Sequence, residues 1–354
     1  MSVEMTEAHA QEHADAQALS ERIAEELGAD RLVAIYQDML LMRRFEERAG
    51  RAYQQGKIKG FCHLYIGQEA VAAAAMAAID EHDYIVTHYR EHGHALARGL
   101  EPKAVMAELF GRATGVSGGK GGSMHLFDVE KHFYGGWGIV GGYAPTGAGV
   151  AFAAKYRDEH AVCLTFMGDG AIHQGAVHET MNMAQLWGLP VVFIVENNGY
   201  GMGTALERAS SITDIQLKAV AYGMEHEACD GQNFFVTYDA LKRAVDRARQ
   251  DNLPSFLDVQ TYRFRGHSMS DPATYRTKEE LSMEMGRDPI QQLHNWLVEH
   301  GVRSDDDLKA MDKQAKAQAK EAEAYADAQP FPDDAELTRD VYVEWPFDIE
   351  GVDL

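Results

Sequence analysis

Cysteine is scarce in this sequence, and its placement excludes several chemistries. Cys62, Cys163 and Cys229 are odd in number, far apart, and never arranged as CxxC. Such spacing supports neither a disulfide framework nor a zinc ribbon. Long apolar runs are also missing. The longest near-continuous one, 70–79, is too short to cross a membrane and reads as a buried helix. Positive charge is in deficit, with 33 Lys and Arg against 55 Asp and Glu and a net charge of −22. An acidic surface repels phosphate, which argues against nucleic-acid and membrane-surface roles. A chain of this charge that holds a phosphorylated ligand has to gather its cations locally. The opening residues, MSVEMTEAHAQEHADAQ, lack the apolar core of a signal peptide. Together these absences point to the cytoplasm.

What is present is a 354-residue chain that is 45% hydrophobic and 9% aromatic. That is enough for a globular α/β body with a sizeable core. Residues 1–18 are polar and read as a frayed arm, within an N-terminal unit of 1–30. From 19 to 55, Leu32, Ile35, Tyr36, Met39, Met42 and Phe45 recur every three or four residues, which is helical periodicity. Further helical patterns cover 67–81 and 101–113, with a short strand in 83–90 between them. Residues 115–149 are too rich in glycine for regular structure. Met124, His125, Phe133, Trp137, Ile139 and Val140 interrupt the glycines, however, and linkers seldom carry such groups. An ordered loop with close backbone approach is expected there.

From 150 onward the pattern alternates. Helix (150–157), strand (161–167), helix (175–187) and strand (190–196) follow one another, with a helix at 239–250 and a strand at 256–261 beyond. Strands separated by helices imply a mostly parallel sheet with helices on both faces. Ligands of such sheets bind beyond the carboxyl ends of the strands. Residues 31–303 form the main domain on this reading. From Ser304, a cap followed by three Asp opens a long helix, and 304–354 is expected to pack on a partner through that helix and the apolar Tyr342, Val343 and Trp345.

Two strand ends carry the chemistry. One runs LTFM into Gly168-Asp169-Gly170 and the other VVFIV into Glu196-Asn197-Asn198-Gly199-Tyr200. Only one strand–helix–strand crossover separates them, so both should lie at one edge of the sheet. A carboxylate, an amide oxygen and freed carbonyls are hard ligands that suit magnesium, which keeps phosphate oxygens in its remaining positions. Gly-Asp-Gly alone is usually a turn, and Asn-Asn-Gly alone is usually a loop. Paired, with residues 171–196 between them, they are far more specific.

GDG, these 26 residues and NN resemble the thiamine-diphosphate-binding motif. The longer string GDGAIHQGAVHETMNMAQLWGLPVVFIVENNGYGMGT resembles the alpha subunits of thiamine-diphosphate-dependent 2-oxo acid dehydrogenases, those of pyruvate dehydrogenase complexes in particular. GFCHLYIGQEA, THYREHG, GGKGGSMH, FYGGWGIVG and RGHSMSDPATYR extend the likeness from about residue 30 to the tail. The resemblance implies that Asp169 and Asn198 bind magnesium through their side chains and Tyr200 through its carbonyl. It implies that Gly170, Ala171, Tyr89 and Arg90 hold the diphosphate, and that Gly138 and Val140 contact the aminopyrimidine through their backbones. His63 and His267 match positions beside the reactive carbon, where imidazole suits proton exchange near neutral pH, and His267 counts among the cofactor contacts too. His125, His173 and His178 are read as structural, since the chain has 16 histidines. For Arg90 the bland alternative is a salt bridge with Glu91 or Asp83.

The implied reaction is decarboxylation of a 2-oxo acid on the cofactor and passage of the acyl group to a lipoyl arm on an acyltransferase core. In this family the glutamate that activates the cofactor belongs to a beta subunit, so this chain supplies half a site of an alpha2–beta2 heterotetramer. The loop at Ser268 and Ser270 is shorter than the mitochondrial pattern and lacks a further serine, and it reads as a lid. Pyruvate is the favoured substrate, with branched-chain 2-oxo acids and acetoin as alternatives. Two other readings compete. Gly147-Ala148-Gly149 with Asp169 beyond it mimics a nicotinamide-dinucleotide fingerprint, but no good strand precedes it and Asn197-Asn198 is left unexplained. A non-enzymatic binding module would be suggested by loss of Asp169 or Asn198, and both are present.

Overall fold

A computed structural model of the chain describes residues 2–339 and 341, with side chains from residue 14 onward. Two long helices open it, α1 (Ser2–Leu27) and α2 (Ala29–Gln54), and they meet at Gly28. The φ of +79° at Gly28 breaks the helical path where no Cβ obstructs it. Next come α3 (Glu69–Ala78), β1 (Tyr84–His88), α4 (His92–Ala97) and α5 (Pro102–Leu109). Then β2 (Phe133–Trp137), α6 (Tyr143–Tyr156), β3 (Cys163–Gly168), α7 (Gly175–Trp187) and β4 (Val191–Asn197) alternate. A hairpin of β5 (Tyr200–Gly201) and β6 (Thr204–Ala205) and the short α8 (Leu206–Ala209) lead to β7 (Glu225–Asp230), α9 (Phe234–Asp251) and β8 (Ser255–Gln260). The last helices are α10 (Lys278–Met285), α11 (Pro289–Glu299) and α12 (Asp305–Ala328).

Six strands form one sheet in the order β2-β1-β3-β4-β8-β7, and every neighbouring pair is parallel. Alternating side chains divide between two cores. Leu164, Phe166, Val192, Ile194, Leu257 and Val259 share one core with α2, α3 and α9. Cys163, Met167, Val191, Phe193, Val195 and Phe256 face α6 and α7. Because both faces are covered, the central strands read as continuous apolar runs rather than alternating ones. The α/β class with helices on both faces is as expected. From β1 the chain moves outward to β2 and then returns to β3 on the other side. The strand order therefore reverses between β1 and β3, where a doubly wound sheet opens a crevice.

The glycine-rich stretch departs from expectation. FYGGW within it is edge strand β2, and α6 begins at Tyr143 rather than at 150. Edge strands tolerate glycine, and a Cβ at Gly136 would collide with the buried Glu91 carboxyl, so glycine is required there. The earlier glycines, 115–122, are ordered by Glu108 of α5. Its Oε2 accepts N–H bonds from Ser117 and Gly119 (both 2.8 Å), and its Oε1 from Gly121 (2.7 Å) and Gly122 (3.0 Å).

The N-terminal arm is a correction. Helix α1 covers Ser2–Leu27, and its last turns join the body, where Ile23 is fully buried and Tyr238 of α9 donates to Glu26 at 2.8 Å. The long helix expected after Ser304 is α12, opened by a Ser304–Asp307 capping box. It packs on its own chain, burying Leu308, Ala315, Ala319, Ala322 and Ala326 toward α2 and α5, so the helix itself is not an unpartnered surface. Tyr342, Val343 and Trp345 lie outside the described residues. Strand β7 gave no signal because it is a half-exposed edge strand of sequence EHEACD.

Candidate active site

A cavity of about 330 Å³ opens at the carboxyl ends of β1, β3, β4 and β8. Its position straddles the reversal between β1 and β3. Parallel register pairs Gly168 with Glu196, so β3 and β4 end within one residue of each other and Asp169 and Asn198 emerge at the same edge. Of the residues singled out from the sequence, Tyr89, Arg90, Val140, Asp169, Gly170, Ala171, Asn198, Tyr200 and His267 all line this cavity. His63 stands just behind the wall, its ring centroid 4.6 Å from that of Tyr89 and 5.1 Å from that of His267. Gly138 is set further back, and a Cβ on it would meet the His125 ring at 3.4 Å.

Asp169 is 2% exposed, and burial pushes its carboxyl up to about 6. Asn198 donates its amide nitrogen to Gln68 Oε1 at 3.0 Å, which turns its amide oxygen toward Arg263 Nη1 at 3.4 Å. A Cβ at Gly170 would lie 3.3 Å from Gly201 Cα, so these two glycines let the turn after β3 approach the β5 backbone. Tyr200 is steadied at its far end, where its hydroxyl and that of Tyr262 both donate to Glu280 Oε1 (3.0 and 2.8 Å). Among the described residues no cluster of three or more His, Cys, Asp or Glu is placed to hold a metal. A cation at this edge has to draw on the Asp169 carboxylate, an amide oxygen and backbone carbonyls. The rest of its coordination has to come from a bound molecule, which is the habit of magnesium with phosphates. The donor set fits that ion.

Arg90 is 3% exposed and bonds the carbonyls of Leu64 (2.8 Å) and His267 (2.7 Å), not Glu91 or Asp83. Asp83 is engaged by Arg249 instead. Burial, and then the neighbouring Arg263, push Arg90 down to about 10. Two buried guanidiniums facing one cavity favour an anionic occupant, since each lacks a carboxylate that would neutralise it fully. Arg263 and His88 were missed from the sequence, and His173, read there as structural, also lines the cavity. His88 accepts the Arg90 backbone N–H at Nδ1 (3.1 Å), so its Nε2 carries the proton and donates to Glu196 at 2.6 Å. Against the upward push of burial, His94 and His88 hold the Glu196 carboxyl well below its usual range.

The two histidines singled out for chemistry stay neutral near pH 7. Burial, then Arg90, lower His63 to about 2 and His267 to about 4. Nδ1 of each is buried without a hydrogen-bond partner, an arrangement that a ligand would complete. A stability consequence follows for His267. The unfolded ring takes up a proton near pH 6.5 and the folded ring only near 4, so stability falls as pH drops through that window. With the ring partly exposed, the loss should be roughly 1–2 kcal/mol. Urea denaturation of the apo chain at pH 7 and pH 4.5 should show that loss shrinking in His267→Asn; an equal loss in the variant would contradict it.

His125 and His178 make structural contacts, to the Gly136 carbonyl (2.9 Å) and the Tyr222 hydroxyl (2.8 Å). Gly147-Ala148-Gly149 lies inside α6 and not in the turn that opens it. A Cβ at Gly147 would strike the Thr165 side chain, so its glycine serves helix–strand packing rather than a dinucleotide. The described residues contain no helix long and apolar enough to cross a membrane.

Comparison with known proteins accords with this geometry. Residues 37–334 match the family described as "Dehydrogenase E1 component". A "Pyruvate dehydrogenase E1 component subunit alpha" of Rickettsia bellii is 50% identical over 308 residues, covering 87% of this chain and 94% of the relative. The protein of that name in Zymomonas mobilis is 48% identical over 319 residues, 89% of this chain and 90% of its own. A mitochondrial one in Dictyostelium discoideum is 43% identical over 318 residues, 89% of this chain and 83% of its own. With the family match running through every strand of the sheet and all four cavity edges, the chain belongs to the dehydrogenase E1 component family.

Proposed function

We propose that this chain is the alpha subunit of a pyruvate dehydrogenase, acting in the cytoplasm with a beta subunit in an alpha2–beta2 assembly and delivering acetyl groups to a lipoyl-bearing acyltransferase core. The observation that carries the reading is the cavity itself, where Asp169, Asn198 and Tyr200 meet two buried guanidiniums and the neutral His267, with His63 behind the wall. The names of the relatives favour pyruvate over branched-chain 2-oxo acids and acetoin. In this reading 1–30, 31–303 and 304–354 are the N-terminal unit, the diphosphate-side domain and the C-terminal unit.

Thiamine diphosphate, when bound, supplies the electron sink that lets the bond between C1 and C2 of pyruvate break. Asp169, Asn198 and the Tyr200 carbonyl would hold its magnesium, with Gly170 and Ala171 offering backbone N–H groups to the diphosphate. Arg90, Arg263 and Tyr89 would face the phosphate oxygens from the other side. Val140 and Gly138 are placed on the loop that would meet the aminopyrimidine. Neutral His63 and His267 each offer one N–H donor and one bare nitrogen acceptor near the reacting carbon, a pairing that protonated rings would lose. In the net reaction carbon dioxide leaves, a lipoyl disulfide is reduced, and one of its sulfurs takes the acetyl group.

Co-expression with the beta partner and assay of pyruvate, 3-methyl-2-oxobutanoate and acetoin tests the substrate. Pyruvate should be turned over fastest, and a preference for either of the others would reassign it. Calorimetry with thiamine diphosphate, with and without magnesium, against NAD tests the cofactor; magnesium-independent NAD binding would overturn the proposal.

A further inference from the structure

His63 is held by a buried polar chain that the cavity does not include. Glu46 of α2 and His92 of α4 are fully buried, and Ser123 of the short turn Gly122–Met124 is 3% exposed. His92 Nδ1 lies 2.9 Å from Glu46 Oε2, and its Nε2 lies 2.9 Å from Ser123 Oγ and 3.0 Å from the Ser123 carbonyl. None of the three lines the cavity. Serine, histidine and a carboxylate in this order activate a hydroxyl nucleophile in hydrolases. Here the hydroxyl is sealed from solvent, and its oxygen already accepts the His63 backbone N–H at 3.3 Å. It is placed to hold and not to attack.

What the chain holds is the segment from Cys62 to Tyr65. Glu46 Oε1 accepts the Tyr65 N–H at 2.6 Å, as Ser123 accepts that of His63. The intervening carbonyls are also engaged, Cys62 by the Met269 N–H (2.8 Å) and Leu64 by Arg90 (2.8 Å). Four consecutive residues are thus pinned by groups from α2, the Ser123 turn, the loop after β1 and the loop after β8. The His63 ring has no such hold, because its Nδ1 is buried without a hydrogen-bond partner. Its position therefore depends on its backbone and on the flanking rings of Tyr89 and His267.

We propose that Glu46, His92 and Ser123 are positioning residues that fix the His63 imidazole at the reacting end of the site. The proposal rests on the pyruvate dehydrogenase reading and deepens it. A displacement of about 1 Å at a reacting group can cost ~100-fold in rate, whereas the diphosphate end, built from Asp169, Asn198, Arg90 and Arg263, is left alone.

The test uses the alpha–beta complex. In Ser123→Ala, kcat for pyruvate should fall ~10–100-fold, while affinity for thiamine diphosphate with magnesium stays within about twofold of wild type. Ser123→Thr, which restores the hydroxyl, should recover most of the rate. In the cofactor-free complex, modification of His63 by diethyl pyrocarbonate, followed by mass spectrometry, should be faster in Ser123→Ala than in wild type. Unchanged kcat and unchanged His63 reactivity would overturn the proposal, and so would rate and cofactor affinity falling in equal proportion. If Ser123→Ala does not fold, Glu46→Gln is measured in the same way, and the same outcomes support or overturn the proposal. A wild-type complex that binds no thiamine diphosphate would instead overturn the reading beneath it.

Discussion

Asp169→Ala should abolish magnesium-dependent binding of thiamine diphosphate while leaving the apo chain folded. The two halves of that outcome have different causes. Among the described residues, Asp169 at the end of β3 is the only carboxylate lining the cavity, beside the Asn198 amide oxygen and among glycines that bring backbone close. A hard dication bound through one carboxylate and neutral oxygens loses most of its protein affinity with that charge. A loss above ~100-fold, on the order of 3 kcal/mol, is expected. The fold does not share the loss, because burial works against the charged form of Asp169. Asp169→Asn keeps an oxygen and should fall between the two. Calorimetry with thiamine diphosphate in magnesium and in chelator reads the outcome. Tight, magnesium-dependent binding by Asp169→Ala would refute the assigned role, and residual magnesium-independent binding would be the share held by Arg90 and Arg263.

The pair Asp169 and Asn198 was legible because two features of different kind coincided. Apolar strands are visible when both faces are buried, and short oxygen-bearing side chains at their ends are unusual enough to mark an edge. Arg263 was harder to see. It lies in Tyr262-Phe264-flanked sequence with Arg265 close by, and spacing does not separate a buried arginine from an exposed one. The same rule of looking beyond strand ends, applied to β8, would have found it. Strand β2 was missed for a physical reason: Gly136 is there because Glu91 occupies the space a side chain would take, and Gly135 because its φ is +74° and a Cβ would meet the Leu126 carbonyl and the Phe127 ring. The first half of α1 was missed because its composition is polar, and the helix is anchored further along, where Glu26 meets α9 more than two hundred residues away in sequence. Local pattern reports local physics, and these elements are fixed by tertiary contacts.

The glycine-rich loop supplies the other large effect, and it falls on stability. Glu108→Ala should destabilise the chain by at least ~4 kcal/mol, since four buried or half-buried backbone N–H groups lose their acceptor at once. Gly115 presses on the carboxyl from one side, where a Cβ would come within 2.2 Å of Oε2. The loop is in effect an anion-binding nest whose anion is covalently part of the protein. Glu108→Gln should recover about half the loss, as an amide presents one acceptor oxygen and turns two donors toward donors. Chemical denaturation gives the stability, and hydrogen exchange at Ser117, Gly119, Gly121 and Gly122 reports whether the loop has opened. Stability within about 1 kcal/mol of wild type in Glu108→Ala, with those amides still protected, would show that the nest holds itself. The loop leads directly into Ser123, so its opening would also release the His63 N–H from its acceptor. Glu108→Gln should therefore lose turnover more steeply than cofactor affinity, the same split expected of Ser123→Ala, from a residue that touches neither the cavity nor His63.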